Sequence, residues 1–202
     1  MPERICLFGG TFDPIHRAHV RIGQEALRTF QLDRVVFVPA GNPPHKDAAT
    51  LAPFEDRYQM VRLACEGRHG LEVSRVEASS DLSYTVDTVA RFARCLGTGD
   101  RLFFLIGSDA FDEIETWHNW PELVRLTEFI VVARPGHEYR IPRGGRVLRL
   151  DELALPVSSS GIRSRLSVRG LTPELSSAVR KYIDIHGLYG AKSVKATRLS
   201  AD

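Results

Sequence analysis

Cysteine is scarce in this 202-residue chain: there are three, Cys6, Cys65 and Cys95, and no CxxC spacing joins them. An odd, scattered set excludes a disulfide framework and a zinc ribbon. All three sit in apolar segments and read as buried free thiols of a reducing compartment. Long apolar runs are missing as well. A stretch such as Leu102-Phe103-Phe104-Leu105-Ile106 falls far short of a membrane span. Met1-Pro2-Glu3-Arg4 leads into only four apolar residues before Gly9-Gly10, too few for a secretory leader. The expectation is a soluble, cytoplasmic chain with no membrane partner. Nor does charge of one sign dominate. The 27 Lys and Arg against 25 Asp and Glu leave a net charge of +2, which gives no ground for a nucleic-acid partner. Repeats and low-complexity tracts are absent. What remains is an ordinary globular composition, 43% hydrophobic and 26% charged, long enough to bury a sizeable core.

The apolar segments are of two alternating kinds. Residues 4–8 are short and apolar, stop at Gly9-Gly10, and read as a buried strand. Residues 20–30 carry helical spacing (Val20, Gln24, Leu27 and Ala26, Phe30). Residues 35–38 form a second buried strand, ended by Pro39 and Gly41. A helix follows over 53–65 with Pro53 in its first turn, then an outer strand over 71–76. A helix over 85–96 has Val86, Val89, Ala90 and Ala93 on one face. Buried strands follow over 102–106 and 129–132. A short helical pattern covers 162–168. The last helix is expected over 172–187, with Thr172 as N-cap and Gly187 past its end. The run Arg140, Arg143, Arg146 and Arg149 reads as a solvated edge. Near-continuous apolar strands separated by helices predict an α/β fold: a doubly wound, Rossmann-like, mostly parallel sheet with helices on both faces. Residues 1–190 form one domain in this reading, and 191–202 a polar tail. Ligands of such folds bind beyond the carboxyl ends of the strands, where strand order reverses.

Two clusters fall at such places. After the first strand comes Gly9-Gly10-Thr11-Phe12-Asp13-Pro14-Ile15-His16-Arg17-Ala18-His19. It is neither GxGxxG nor a P-loop. Paired glycines still let backbone N–H groups approach an anion, and the helix that follows opens with its positive dipole end. His16 and His19, three apart, project from one face of that helix. Such a pocket suits a polyphosphate undergoing displacement; plain surface histidines or half a metal site are the alternatives. The second cluster is Val157-Ser158-Ser159-Ser160-Gly161-Ile162-Arg163. Its hydroxyls can cap a helix or face an anion. Arg163 opposes the helix dipole, which makes sense with a polyanion between them; a solvated Arg on a Ser-rich loop is the plain alternative.

Together, GGTFDPIHxxH and SSxxIR resemble the nucleotidyltransferase superfamily with HxGH and ISSTxxR-type motifs. The resemblance covers residues 3–188 and is nearest to the bacterial nicotinate-nucleotide adenylyltransferase family. Two positions depart from the pattern: Ala18 stands where the family has Gly, and Ser160 where it has Thr. Neither removes a donor. The resemblance implies that His16, His19 and Arg163 act on the triphosphate. It places Gly9, Gly10, Thr11, Phe12, Gly107, Asp109, Ser159, Ser160 and Ile162 on the ATP side. It gives the mononucleotide side to His45 and Lys46 of the Pro-rich loop, to Ser83-Tyr84-Thr85 at a helix start, to Trp117 as the face for the pyridine ring in preference to Trp120, and to Arg134.

The implied reaction joins nicotinate mononucleotide to ATP and releases pyrophosphate and deamido-NAD. A phosphomonoester is already mostly ionised at pH 7, so in-line attack on the α-phosphorus needs neither a general base nor a covalent enzyme intermediate. Mg²⁺ is expected to enter with ATP, held by phosphate oxygens and water, with no protein metal site. The expected partners are ATP and nicotinate mononucleotide, with a homo-oligomer left open. The rival readings are the amide mononucleotide as acceptor, another transferase such as pantetheine-phosphate adenylyltransferase or a cytidylyltransferase, and a nucleotide-sensing module without chemistry.

Overall fold

The computed structural model of the chain describes residues 2–43, 51–78, 82–133, 138–151, 157–168 and 170–191. Its centre is a six-stranded, all-parallel sheet in the order β3-β2-β1-β4-β5-β6. The strands are β1 (Arg4–Gly10), β2 (Arg34–Pro39), β3 (Leu71–Val73), β4 (Arg101–Gly107), β5 (Glu128–Ala133) and β6 (Val147–Asp151). Strand order reverses between β1 and β4, so the crevice expected of an open α/β sheet lies beyond Gly10 and Gly107.

Alternate residues of each strand feed opposite cores, which is why the inner strands show no polar alternation. Cys6, Phe8, Val35, Phe37, Phe103 and Leu105 face one layer. That layer is covered by α1 (Arg17–Thr29), α2 (Phe54–Cys65), α6 (Ser159–Ser167) and α7 (Ser177–His186). Ile5, Leu7, Val36, Val38, Phe104 and Ile106 face the other. There α3 (Thr85–Ala93), α4 (Ser108–Asp112) and α5 (Trp120–Leu126) pack. Among the described residues no helix is long and apolar enough to cross a membrane.

Several expectations need correction. A sixth strand, β6, is unexpected; it takes up the end of the Arg140, Arg143, Arg146 and Arg149 run, whose four arginines are exposed, as a solvated edge should be. Its residues alternate, with Leu150 buried and Arg149 exposed, and Arg149 pairs with Asp151 at 3.0 Å. Charged side chains of this kind keep an edge strand from pairing further. The last helix begins at Ser177, not at Thr172. Ser176 is its N-cap and accepts from the Val179 N–H at 3.3 Å. Thr172 instead closes a turn with Leu175 and accepts from Arg180 at 3.0 Å. Gly187 ends the helix in the left-handed conformation, as its residue type predicts. β3 stops at Val73 and α3 at Ala93. Gln24 is exposed, while Val20 and Ala26 carry the buried face of α1. Cys6 and Cys65 are buried, but Cys95 is exposed at the frayed end of α3. The short helices α4 and α5 had no sequence signal strong enough to separate them from loop.

Candidate functional site

The β1–α1 turn sits at the switch point, flanked by β2 and β4. Its glycines let the turn fold tightly. A Cβ on Gly9 would stand 3.2 Å from the Phe104 ring, and one on Gly10 3.0 Å from the Phe12 ring. Phe12 takes a left-handed φ of 48°, a conformation held by surrounding packing. Its side chain is buried edge-on against Phe8 and His19 at 5.6 and 5.1 Å. Phe12 therefore supports the floor of the turn, and only its backbone is left to meet a ligand.

His16 is the N-cap of α1 and His19 lies one turn on, so the two rings stack at 3.7 Å. The His16 N–H donates to His19 Nδ1 at 3.3 Å. That bond assigns Nδ1 as acceptor and leaves the His19 proton on Nε2. Burial pushes the His16 pKa down to about 4, against a smaller opposite pull from Glu174. Burial, then the neighbouring His16, lowers His19 well below the ordinary imidazole range. At neutral pH both rings are uncharged and act as N–H donors rather than cations. His16 Nδ1 is buried without a hydrogen-bond partner among the described residues. Ala18 is buried in the first turn of α1, which leaves little of its methyl to crowd a nucleotide.

The second cluster docks on this turn. Ser158 caps α6 by accepting from the Gly161 N–H at 3.2 Å, and Ser160 Oγ lies 3.2 Å from Ser158 Oγ. Ser159 donates to the Pro14 carbonyl at 3.0 Å. Arg163 Nη1 donates to the Asp13 carbonyl at 2.8 Å and lies 3.6 Å from Asp13 Oδ2. Thus His16, His19, Ser159 and Arg163 gather about residues 11–16, with Ser160 next in the chain, although a long stretch separates the clusters. Arg163 stands in the second turn of α6. Ile162 is fully buried, and its N–H donates to the Ser158 carbonyl at 3.1 Å.

A cavity of about 700 Å³ opens beside the turn. It is lined by Gly9, Gly10 and Thr11, by Ser83, Tyr84 and Thr85, and by Gly107 and Trp117, all singled out by sequence. Trp117 stands edge-on to Phe104 at 6.4 Å, and the His118 ring lies tilted against Tyr84 at 4.2 Å. Trp120 does not line the cavity and packs on the core. Ser83 does not cap α3, whose N-cap is Tyr84; its hydroxyl instead accepts from the Asn42 N–H at 3.2 Å. Asp109 is exposed in the first turn of α4, just past Gly107. His45, Lys46 and Arg134 lie outside the described residues. Among the described residues no group of three or more His, Cys, Asp or Glu is placed to hold a metal ion.

Three residues of the site, Arg57, Glu77 and Tyr189, escaped sequence reasoning. Arg57, 1% exposed, donates to the carbonyls of Thr11, Ala40, Gly41 and Ala52 at 2.7–3.3 Å. It fastens the β1 turn to the segment after β2. Burial lowers its pKa, and Asp13 pulls the other way. Glu77 lines the cavity; its carboxylate accepts from Thr88 at 2.5 Å and from the Gly41 N–H at 3.2 Å. Asp13 and Tyr189 are hydrogen-bonded at 2.7 Å. A single Arg inside an amphipathic helix and a Glu in a polar loop carry no pattern that a sequence could reveal.

The sequence pattern of the cytidylyltransferase-like family matches residues 7–165. A probable nicotinate-nucleotide adenylyltransferase of Solibacter usitatus is 47% identical over 186 residues, covering 92% of this chain and 99% of its own. Another, of Moorella thermoacetica, is 40% identical over 203 residues, covering 93% of this chain and 92% of its own. Among solved structures, Plasmodium falciparum nicotinic acid mononucleotide adenylyltransferase complexed with NaAD superposes with a TM-score of 0.76 at 21% identity, over 94% of this chain and 98% of that one. At that identity the likeness speaks for the fold.

Proposed function

The chain belongs to the cytidylyltransferase-like family, alongside the nicotinate-nucleotide adenylyltransferases, and on that premise we propose how its residues transfer AMP from ATP to nicotinate mononucleotide. The observation that carries the reading is the docking of α6 on the β1–α1 turn through Ser159 and Arg163. It brings a stacked imidazole pair, two helix N-termini and a guanidinium to one side of the switch point.

ATP lies with its phosphates on the backbone of residues 9–12 and its ribose toward Asp109. His19 Nε2–H and His16 donate to α-phosphate oxygens, whose charge grows as the bond to pyrophosphate breaks. Because both imidazoles are neutral at pH 7, they hold ATP less tightly than cations would. Their contribution is directional and grows with the developing charge. Ser160 and Arg163 take the β- and γ-phosphates and the departing pyrophosphate. Mg²⁺ enters as part of the ATP substrate, on phosphate oxygens and water. The mononucleotide occupies the cavity, its pyridine ring on Trp117 and its carboxylate at the start of α3 beside Ser83, on the N–H groups of Tyr84 and Thr85. His45, Lys46 and Arg134 serve its phosphate. That phosphate attacks in line, already ionised, and the chain supplies position and charge stabilisation. Residues 1–190 act as one nucleotidyltransferase domain, with 191–202 as an appended tail. The buried thiols Cys6 and Cys65 suit the reducing cytoplasm.

One observation favours a second acceptor. The Glu77 carboxylate faces the same cavity, and an amide NH₂ could donate to it where a carboxylate would be repelled. Against this, both Glu77 oxygens are already engaged by Gly41 and Thr88. Pyrophosphate release from ATP, with nicotinate mononucleotide, its amide and phosphopantetheine offered in parallel, decides the matter. The acid should be turned over fastest. Equal or faster use of the amide would move the carboxylate away from residues 83–85, and no release with any acceptor would leave a binding module.

A further inference from the structure

Tyr189 lies beyond residues 7–165, the span that the family pattern covers, yet its phenol reaches the centre of the first motif. Its hydroxyl donates to Asp13 Oδ1 at 2.7 Å. The residue holds φ 57° and ψ 31°, a left-handed conformation that a non-glycine side chain keeps only when its surroundings impose it. Burial, then the bond to Asp13, holds its phenol far above the ordinary range, so it remains a donor.

Asp13 is 1% exposed. Its Oδ1 accepts both from Tyr189 and from the Ala52 N–H at 3.2 Å. Its Oδ2 has no hydrogen-bond partner among the described residues, and Arg163 Nη1 stands 3.6 Å away. The same Nη1 donates to the Asp13 carbonyl at 2.8 Å. A buried carboxylate next to a guanidinium tends to close into a two-oxygen ion pair, the strongest arrangement open to both groups. Here that closure is not made: Oδ1 is engaged by Tyr189 and Ala52, and only Oδ2 pairs with Arg163, at a long 3.6 Å. Arg163 is oriented by a carbonyl and paired with one carboxylate oxygen, but it is not gripped by both.

We infer that Tyr189 is a positioning residue: its hydroxyl holds the Asp13 carboxylate in a rotamer that aims the Arg163 guanidinium at bound phosphate without locking it into a two-oxygen ion pair. The inference rests on the adenylyl-transfer reading for the role of Arg163, but the MgATP-binding half of its test does not need the acceptor.

The dissociation constant for MgATP is measured by calorimetry, and kcat by pyrophosphate release, on the full chain. The variants are Y189F, R163A and the double variant. Y189F keeps the ring and removes one hydrogen bond to a charged group, so it should weaken MgATP binding by about tenfold and lower kcat by a similar factor. In the R163A background the same change should alter neither by more than about twofold, because the coupling runs through that guanidinium. D13N is the second variant. Its neutral amide cannot capture Arg163, so Y189F should lose its effect there too. Wild-type affinity and turnover in Y189F would overturn the inference. So would an equal loss with and without Arg163, the result expected of a purely structural tyrosine. If wild-type protein bound MgATP with this coupling but turned over no nicotinate mononucleotide, the functional reading would fall and the role of Tyr189 would stand.

Discussion

Replacing His16 by Gln should flatten the acid limb of the stability curve. His16 is 6% exposed and its pKa falls from 6.5 to about 4 on folding, chiefly because burial penalises the imidazolium. Between those values the unfolded chain binds the extra proton, so stability rises with pH across the window and is lost as pH falls through it. A tenfold change in proton affinity corresponds to roughly 1.4 kcal/mol, so the full effect is roughly 3 kcal/mol, of which roughly 2 kcal/mol has gone by pH 5. Urea unfolding of the ligand-free protein at pH 8, 7, 6 and 5 measures it. The quantity that matters is the difference between wild type and His16→Gln, since exposed carboxylates such as Glu25 and Glu122, with lowered pKa values, add the same slope to both at lower pH. The wild-type curve should drop by roughly 2 kcal/mol more than the variant's between pH 8 and 5. His19, shifted in the same direction, remains in both proteins. Parallel curves would show that His16 titrates normally in the fold, and the neutral-donor account of the histidine pair would fail with them.

Three further outcomes follow from the same geometry. His19→Ala should lower kcat by about two to three orders of magnitude, the scale for losing one transition-state donor, with an unchanged far-UV spectrum; normal turnover would remove His19 from the mechanism. Trp117→Ala should raise the KM for the mononucleotide about tenfold while kcat changes little, because it removes a flat face for the ring; impaired ATP use with an unchanged KM would place Trp117 elsewhere. Two glycine variants separate fold from site. A Cβ on Gly41 would meet the Glu77 carbonyl at 2.0 Å, whereas nothing lies within 4 Å of one on Gly107. Gly41→Ala should cost about 1–3 kcal/mol in urea unfolding. Gly107→Ala should leave stability within about 0.5 kcal/mol and raise the KM for ATP. Equal destabilisation would mean that the segment after β2 is not held against Glu77.

Which elements were legible depended on how many constraints each residue had to meet. The inner strands announce themselves because both faces are buried: Ile5 to Phe8 and Leu102 to Ile106 must be apolar throughout. The edge strand β6 is buried on one face only, so its residues look like a charged loop. The error at α7 is of another sort. Thr172-Pro173-Glu174 has the chemistry of a helix start, but Ser176 does too, and the four N–H groups of a helix end need only one such cap. Tertiary contacts chose between them: the Glu174 carbonyl accepts from the Arg17 N–H at 2.8 Å and Thr172 binds Arg180, which uses that segment as a strap rather than a turn of helix.

The site divides along the same line. Groups that would face phosphate recur as short motifs because backbone approach, dipole and donor must coincide within a few residues. His16, His19, Ser159 and Arg163 were found that way. Groups that hold those motifs in place need only reach a carbonyl or a carboxylate, from any element that passes near. Arg57 comes from the first turn of α2 and Tyr189 from a turn near the end of the chain; both act on residues 11–13. Their sequence surroundings are those of any amphipathic helix or chain end. The support has a physical cause: a glycine turn flexible enough to wrap an anion is too flexible to present it accurately. Guanidinium and phenol groups anchored in the core remove that freedom without occupying the face left to the ligand. Precision at the switch point is therefore built largely from residues whose own neighbourhoods in the sequence say nothing about it.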